Sequence, residues 1–186
     1  PGFPPSPDDP GGIVAAAAAL RAAGLSVPNA TTDVTDPARY PLDQVLGACA
    51  EAGIGMVRLG FWTYDGSRPY RELVDEARHH LDQHERAAER HGIKLTLQLH
   101  GGTIHCSGGL ALRLLEGRDP EWIGAYVDPG NQAVQDGHEQ WRLTFDLLEP
   151  WLSCVGVKNG GWFPAETHES GQRLWRSDWF GVADGA

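Results

Sequence analysis

Helix-like and strand-like runs alternate along this chain, and the join between them is a glycine or a tight turn. The alternation recurs five times, at Ala23-Gly24, Ala52-Gly53 and His91-Gly92 and at the turns ahead of Ile123 and Ser153. Such a pattern predicts a parallel sheet, because each strand returns in the same direction only after a crossover, usually a helix. Even spacing without a Gly-x-Gly-x-x-Gly fingerprint favours a (β/α) barrel over a doubly wound sheet.

Periodicity places the elements. The Ala-rich stretch 13–23 is a helix stopped by Gly24, residues 25–29 form a short strand, and 30–40 is a polar loop. Leu42, Val45, Leu46 and Cys49 have the spacing of an amphipathic helix over 41–52. Next come a strand over 55–61, an aromatic loop over 62–69 and the longest helix, 70–90. That helix carries Leu73, Ala77, Leu81, His84 and Ala88 on one stripe. Strands follow at 93–99, 122–127 and 153–157, separated by helices at 110–116 and 138–151. The tail, 162–186, has no sustained period and reads as a long loop.

The fold expected is α/β, a (β/α) TIM barrel showing five strands. A closed barrel has eight strands in about 250 residues, so this 186-residue chain reads as lacking the first strand and the last two. Residues 1–12 form a Pro/Gly-rich leader and 13–186 a partial barrel domain. The chain starts at Pro1, not Met, which leaves room for residues upstream. It is either a piece of a longer barrel or an open form with two hazardous edge strands.

Charge narrows the partners. A net charge of -10 opposes a phosphate-tracking surface, so no nucleic acid is expected. No apolar run is long enough to span a bilayer and the start lacks a signal peptide's order, which excludes a membrane partner and suggests a cytoplasmic protein. Cys49, Cys106 and Cys154 are too scattered for a disulfide framework or a thiolate zinc site. A homo-oligomer stays open.

Side chains alternate along a strand, so Thr96, Gln98 and His100 share a face, as do Gly124, Tyr126 and Asp128, and Cys154, Gly156 and Lys158. If these faces point inward, Gln98, His100, Asp128 and Lys158 meet at the C-terminal mouth, with Arg58 near them. Asp128 ahead of Pro129-Gly130 also suits a turn residue accepting backbone hydrogen bonds, and Lys158 suits its ion partner. His100 reads equally as an acid/base group or as a satisfied structural histidine. Histidines 79, 80, 84, 91 and 138 lie on or beside helices and are read as solvent-facing, while His105 and His168 lie in loops. Trp62, Tyr64, Trp162 and Phe163 follow strands and could stack on a sugar or cap the barrel.

Three stretches carry a resemblance: Gly92 to Thr103 (GIKLTLQLHGGT), Gly124 to Asn131 (GAYVDPGN) and Val155 to Asn159 (VGVKN). They resemble the strand ends of the xylose-isomerase-like barrels, the sugar-phosphate isomerase/epimerase superfamily. The resemblance implies a divalent cation (Mg, Mn, Co or Zn) held by a Glu, an Asp, a His and a second Glu. It would steady an enediolate oxygen while a carboxylate moves the proton. By position the first Glu falls on Gln98, the Asp on Asp128 and the His on Gly156, and the second Glu lies past Ala186. The metal candidates are therefore Asp128 and Gln98. His100 and Lys158 are the catalytic candidates, and Arg58, Trp62, Asn131, Asn159 and Trp162 the substrate contacts.

The activity implied is that of a sugar (phosphate) isomerase or epimerase acting on a small sugar or polyol. Gln98 and Gly156 also suit a non-catalytic, carbohydrate-binding relative with a degenerate metal site. DNA repair on the same fold needs a basic groove, which the charge opposes.

Overall fold

Helix α1 (Pro10–Ala22) starts where its sequence permits. Pro10 occupies the first turn, where an N–H is dispensable, and the Asp9 carboxylate accepts from Gly12 N at 3.1 Å. The end of the expected leader thus belongs to the helix. The computed structural model describes residues 9–135 and 139–184.

Strand β1 (Asn29–Thr31) lies later than its sequence suggests. Leu25 is 56% exposed, and Pro28 has no N–H for a ladder, so pairing begins after it. The chain continues through α2 (Leu42–Glu51), β2 (Met56–Arg58), α3 (Tyr70–His91), β3 (Lys94–Gln98), α4 (Gly108–Leu115), β4 (Ile123–Val127), α5 (Pro129–Val134), α6 (Trp141–Leu148), a 3-10 turn and β5 (Leu152–Val155). The helix expected over 138–151 is shorter, and His138 lies outside the described residues.

All neighbouring pairs in the sheet are parallel and the order is β1-β2-β3-β4-β5. A doubly wound sheet reverses its order at a switch point. Here the order follows the chain, as in an arc of a barrel. Helix packs on succeeding helix, α1 on α2, α2 on α3, α3 on α4 and α4 on α6, which makes one outer layer. Val57, Leu95, Leu97, Ile123, Ala125 and Val127, none above 1% exposed, fill the space beneath it. Each Val, Leu or Ile among them contributes about 1.5–3 kcal/mol by leaving water. Strand alternation then puts Arg58, Thr96, Gln98 and Tyr126 on the inner face.

Two further expectations change. His84, read as solvent-facing, is fully buried on the apolar stripe of α3, where its Nε2 donates to Thr35 O at 2.7 Å. The tail is not a loop: β6 (Asn159–Thr167) and β7 (Arg173–Phe180) pair antiparallel, with Trp162 opposite Ser177. Its period was hidden because both faces carry aromatics, Trp162, Trp175 and Trp179 on one and Phe163 and Phe180 on the other. Gly160, Gly161 and Pro164 read as strand breakers. No helix among the described residues is long and apolar enough to cross a membrane.

Gly60 locks the loop after β2 against the loop after β1. Its N–H donates to Val34 O at 2.8 Å, and a Cβ would lie 2.5 Å from both the carbon and the oxygen of the Asp33 carbonyl. Backbone pressed on backbone has nowhere to rotate. Gly60→Ala is expected to lower stability by about 1–3 kcal/mol, seen as a lower urea midpoint at constant m-value.

Candidate strand-end site

Asp128 follows the apolar strand β4 and caps the helix that comes next. Its Oδ1 accepts from Asn131 N at 3.0 Å, with Pro129 in the first turn of α5. The same carboxylate, 0% exposed, turns Oδ2 inward. There it accepts from Gln98 Nε2 at 2.9 Å and meets Lys158 Nζ at 3.0 Å. Lys158 Nζ also donates to Asn131 Oδ1 at 2.6 Å, and Asn131 Nδ2 donates to Leu99 O at 2.9 Å. A ring of contacts therefore ties the ends of β3 and β4, the start of α5 and the segment after β5. A buried carboxylate needs both a counter-charge and hydrogen bonds; this one has an ammonium and two N–H donors.

His100 stands beside the ring. Its Nδ1 lies 2.8 Å from Gly101 O, and a carbonyl can only accept, so Nδ1 carries the proton. In the neutral imidazole that leaves Nε2 with a lone pair, 3.4 Å from Gln135 Nε2. Gln135 also accepts from Gly101 N through Oε1 at 2.9 Å. It bridges the end of α5 to the loop after β3, and no strand-end pattern in the sequence marks it.

The aromatic candidates separate. β2 ends at Arg58 and its alternation, which counted onward would turn Trp62 inward, lapses in the loop: Phe61 meets His100 and Trp62 enters the core. The Phe61 ring lies 4.6 Å from the His100 ring at a tilt of 34°, and the Arg58 guanidinium carbon lies 4.5 Å from the Phe61 ring centroid. Arg58 is 7% exposed and donates to Leu59 O at 2.7 Å, and burial lowers its pKa. Trp62, expected as a substrate contact, is instead 6% exposed in the core, 6.3 Å from His84 and 6.2 Å from His105. His105 is fully buried, neither ring nitrogen has a hydrogen-bond partner among the described residues, and burial pushes its pKa down to about 4.

Beyond the ring an open groove of about 500 Å³ is lined by His100, Gln135, Lys158, Asn159, Trp179 and Phe180, among others. Lys158 Nζ sits 5.2 Å from the Trp179 ring centroid, where the face of the indole favours a cation. Asn159 donates to the carbonyls of Gly181 and Asp184, which fastens the chain's end beside the groove. Trp162 lies on the hairpin, its Nε1 donating to Ala133 O at 2.7 Å, and is not among the residues lining the groove. Cys154, on the inner face, has its pKa raised to about 11 by burial, so it is a thiol and no nucleophile.

No family model matches the chain, and no curated protein sequence does. Solved structures do. It superposes on a xylose isomerase-like TIM barrel protein from Mycobacterium smegmatis, in complex with magnesium, with TM-score 0.67 and 17% identity over 90% of this chain and 61% of that one. The chain folds as part of a xylose-isomerase-like barrel. The same barrel appears in 3-keto-D-glucoside 4-epimerase from E. coli (TM-score 0.66, 16% identity, 81% of this chain, 65% of that one). It appears too in mannonate dehydratase from Streptococcus suis (TM-score 0.68, 13% identity, 91% of this chain, 63% of that one). The chain spans a little under two thirds of the length of these barrels.

The residues of this xylose-isomerase-like barrel do not by themselves fit a divalent cation. Gln98 is neutral, and its NH₂ must face Asp128 because a carboxylate only accepts. At Gly156 a Cβ would lie 2.7 Å from Asp128 Oδ2 and 3.0 Å from the Tyr126 ring, so those two side chains fill the room through which a ligating side chain would enter. Both oxygens of Asp128 are engaged. Among the described residues no three His, Cys, Asp or Glu side chains gather as metal ligands do. Where the sequence suggested metal ligands, Gln98 and Asp128 bond to each other, and Asp128 also pairs with Lys158.

Proposed function

We propose that the groove at the strand ends binds a small sugar or polyol, in a carbohydrate-binding relative of the sugar isomerases and epimerases. The supporting observation is the meeting of His100, Gln135, Lys158 and Asn159 at one open groove beside Trp179 and Phe180. Hydroxyls find donors and acceptors at such a rim, while the CH faces of a sugar rest on aromatic rings.

Isomerase or epimerase chemistry, a proton moved next to a carbonyl, is the second reading, and one feature favours it. The hydrogen bond from Nδ1 to Gly101 leaves Nε2 of His100 with a lone pair beside the groove, met only by the long 3.4 Å contact from Gln135, which suits a base. Ketoses incubated with the full-length protein in deuterated water separate the two. Binding seen by saturation-transfer NMR without deuterium uptake is the expected result. Uptake that His100→Gln abolishes, with binding retained, would establish the enzyme instead. Absence of binding to any ketose, polyol or sugar acid would overturn both.

A further inference from the structure

The Lys158 ammonium has three N–H donors. Asp128 Oδ2 at 3.0 Å and Asn131 Oδ1 at 2.6 Å engage two of them. Trp179, with its centroid 5.2 Å away, favours the charge but is too distant to complete a hydrogen bond. The side chain is 35% exposed and lines the groove, so among the described residues one donor is left for whatever enters. A divalent cation on Asp128 Oδ2 would sit about 2.0–2.6 Å from that oxygen and share it with the ammonium 3.0 Å away, so two positive charges would compete for one carboxylate oxygen.

We propose that this site works without a divalent cation: Lys158 stands as its built-in positive charge and meets an acceptor oxygen of the ligand, a ketose carbonyl or a sugar-acid carboxylate. The ligand class rests on the sugar reading above, whereas the cation exclusion does not. Gln98 and Gly156 fit the same conclusion. One replaces a charge with an amide that supports Asp128, and the other removes a ligand and closes its space.

Manganese binding tests the exclusion directly. Full-length protein titrated with Mn²⁺ and followed by electron paramagnetic resonance is expected to leave the signal of the free aquo ion undiminished. Quenching by the wild-type protein that disappears in Asp128→Asn would overturn the proposal. Lys158→Ala frees two oxygens, Asp128 Oδ2 and Asn131 Oδ1, and is expected to raise Mn²⁺ affinity at least about tenfold. A folded Lys158→Ala protein that binds Mn²⁺ no better than wild type also overturns it. Should that variant fail to fold, the wild-type amide resonances of Asn131 and Gly156 decide. They are expected to stay sharp in Mn²⁺, and selective broadening contradicts the proposal. Failure of both D-fructose and D-gluconate to bind would remove the sugar reading and leave the manganese result standing.

Discussion

Acidification from pH 6.5 to pH 4 is expected to remove on the order of 3 kcal/mol of folding stability for each of two buried histidines, His84 and His105. Burial pushes both imidazoles down from 6.5 to about 4, so both are neutral in the folded protein near pH 7. The unfolded chain takes up protons at 6.5 and the folded one only near 4. Their contribution is therefore complete above pH 6.5, falls through this window, and is gone below it. Against a typical total of 5–15 kcal/mol, the loss is large. Urea midpoints at pH 7, 5.5 and 4 measure it. His105→Leu, which removes the ring with two unpartnered nitrogens, is expected to flatten the slope by about half. A stability that stays level between pH 6.5 and 4 would contradict the burial of these two rings.

Lys158→Met is expected to cost about 2–4 kcal/mol, because it strands the fully buried Asp128 carboxylate without its counter-charge. The figure stays below that for a wholly buried pair since 35% of the lysine side chain reaches water. Asp128→Asn alone also destabilises: it weakens the cap on Asn131 N and turns a charged contact with Gln98 into a neutral one. In the double variant the stranded charge is gone, so the two losses should sum to more than the double variant shows, with a coupling of at least about 1 kcal/mol. Strict additivity in a urea double-mutant cycle would mean the pair contributes nothing to the fold.

Much of the arc was legible in the sequence because it rests on repeating patterns. Glycine stops and the stripe Leu73, Ala77, Leu81 set α3, and period-two alternation put Gln98, Asp128 and Lys158 on converging faces. The hairpin was not legible, since a ribbon with aromatics on both faces shows no alternation of apolar and polar residues. Trp62 and Phe61 are adjacent, and only the direction taken by the backbone decides which of them meets His100. Gln135 reaches the site from the end of a short helix that Pro129-Gly130 disguised as a turn. Asp128 accepts backbone as a turn residue does through Oδ1, while its Oδ2 meets Gln98 and Lys158, so the turn position did not exhaust what the carboxylate touches.

The central claim is a sugar-binding groove that needs no metal. Calorimetric titration of D-fructose and D-gluconate into the full-length protein, once in EDTA and once in excess Mg²⁺, tests it most directly. One dissociation constant per ligand, unchanged between the two buffers and weakened by Lys158→Met, is the predicted result. Binding that appears only with Mg²⁺ and vanishes in EDTA would contradict it.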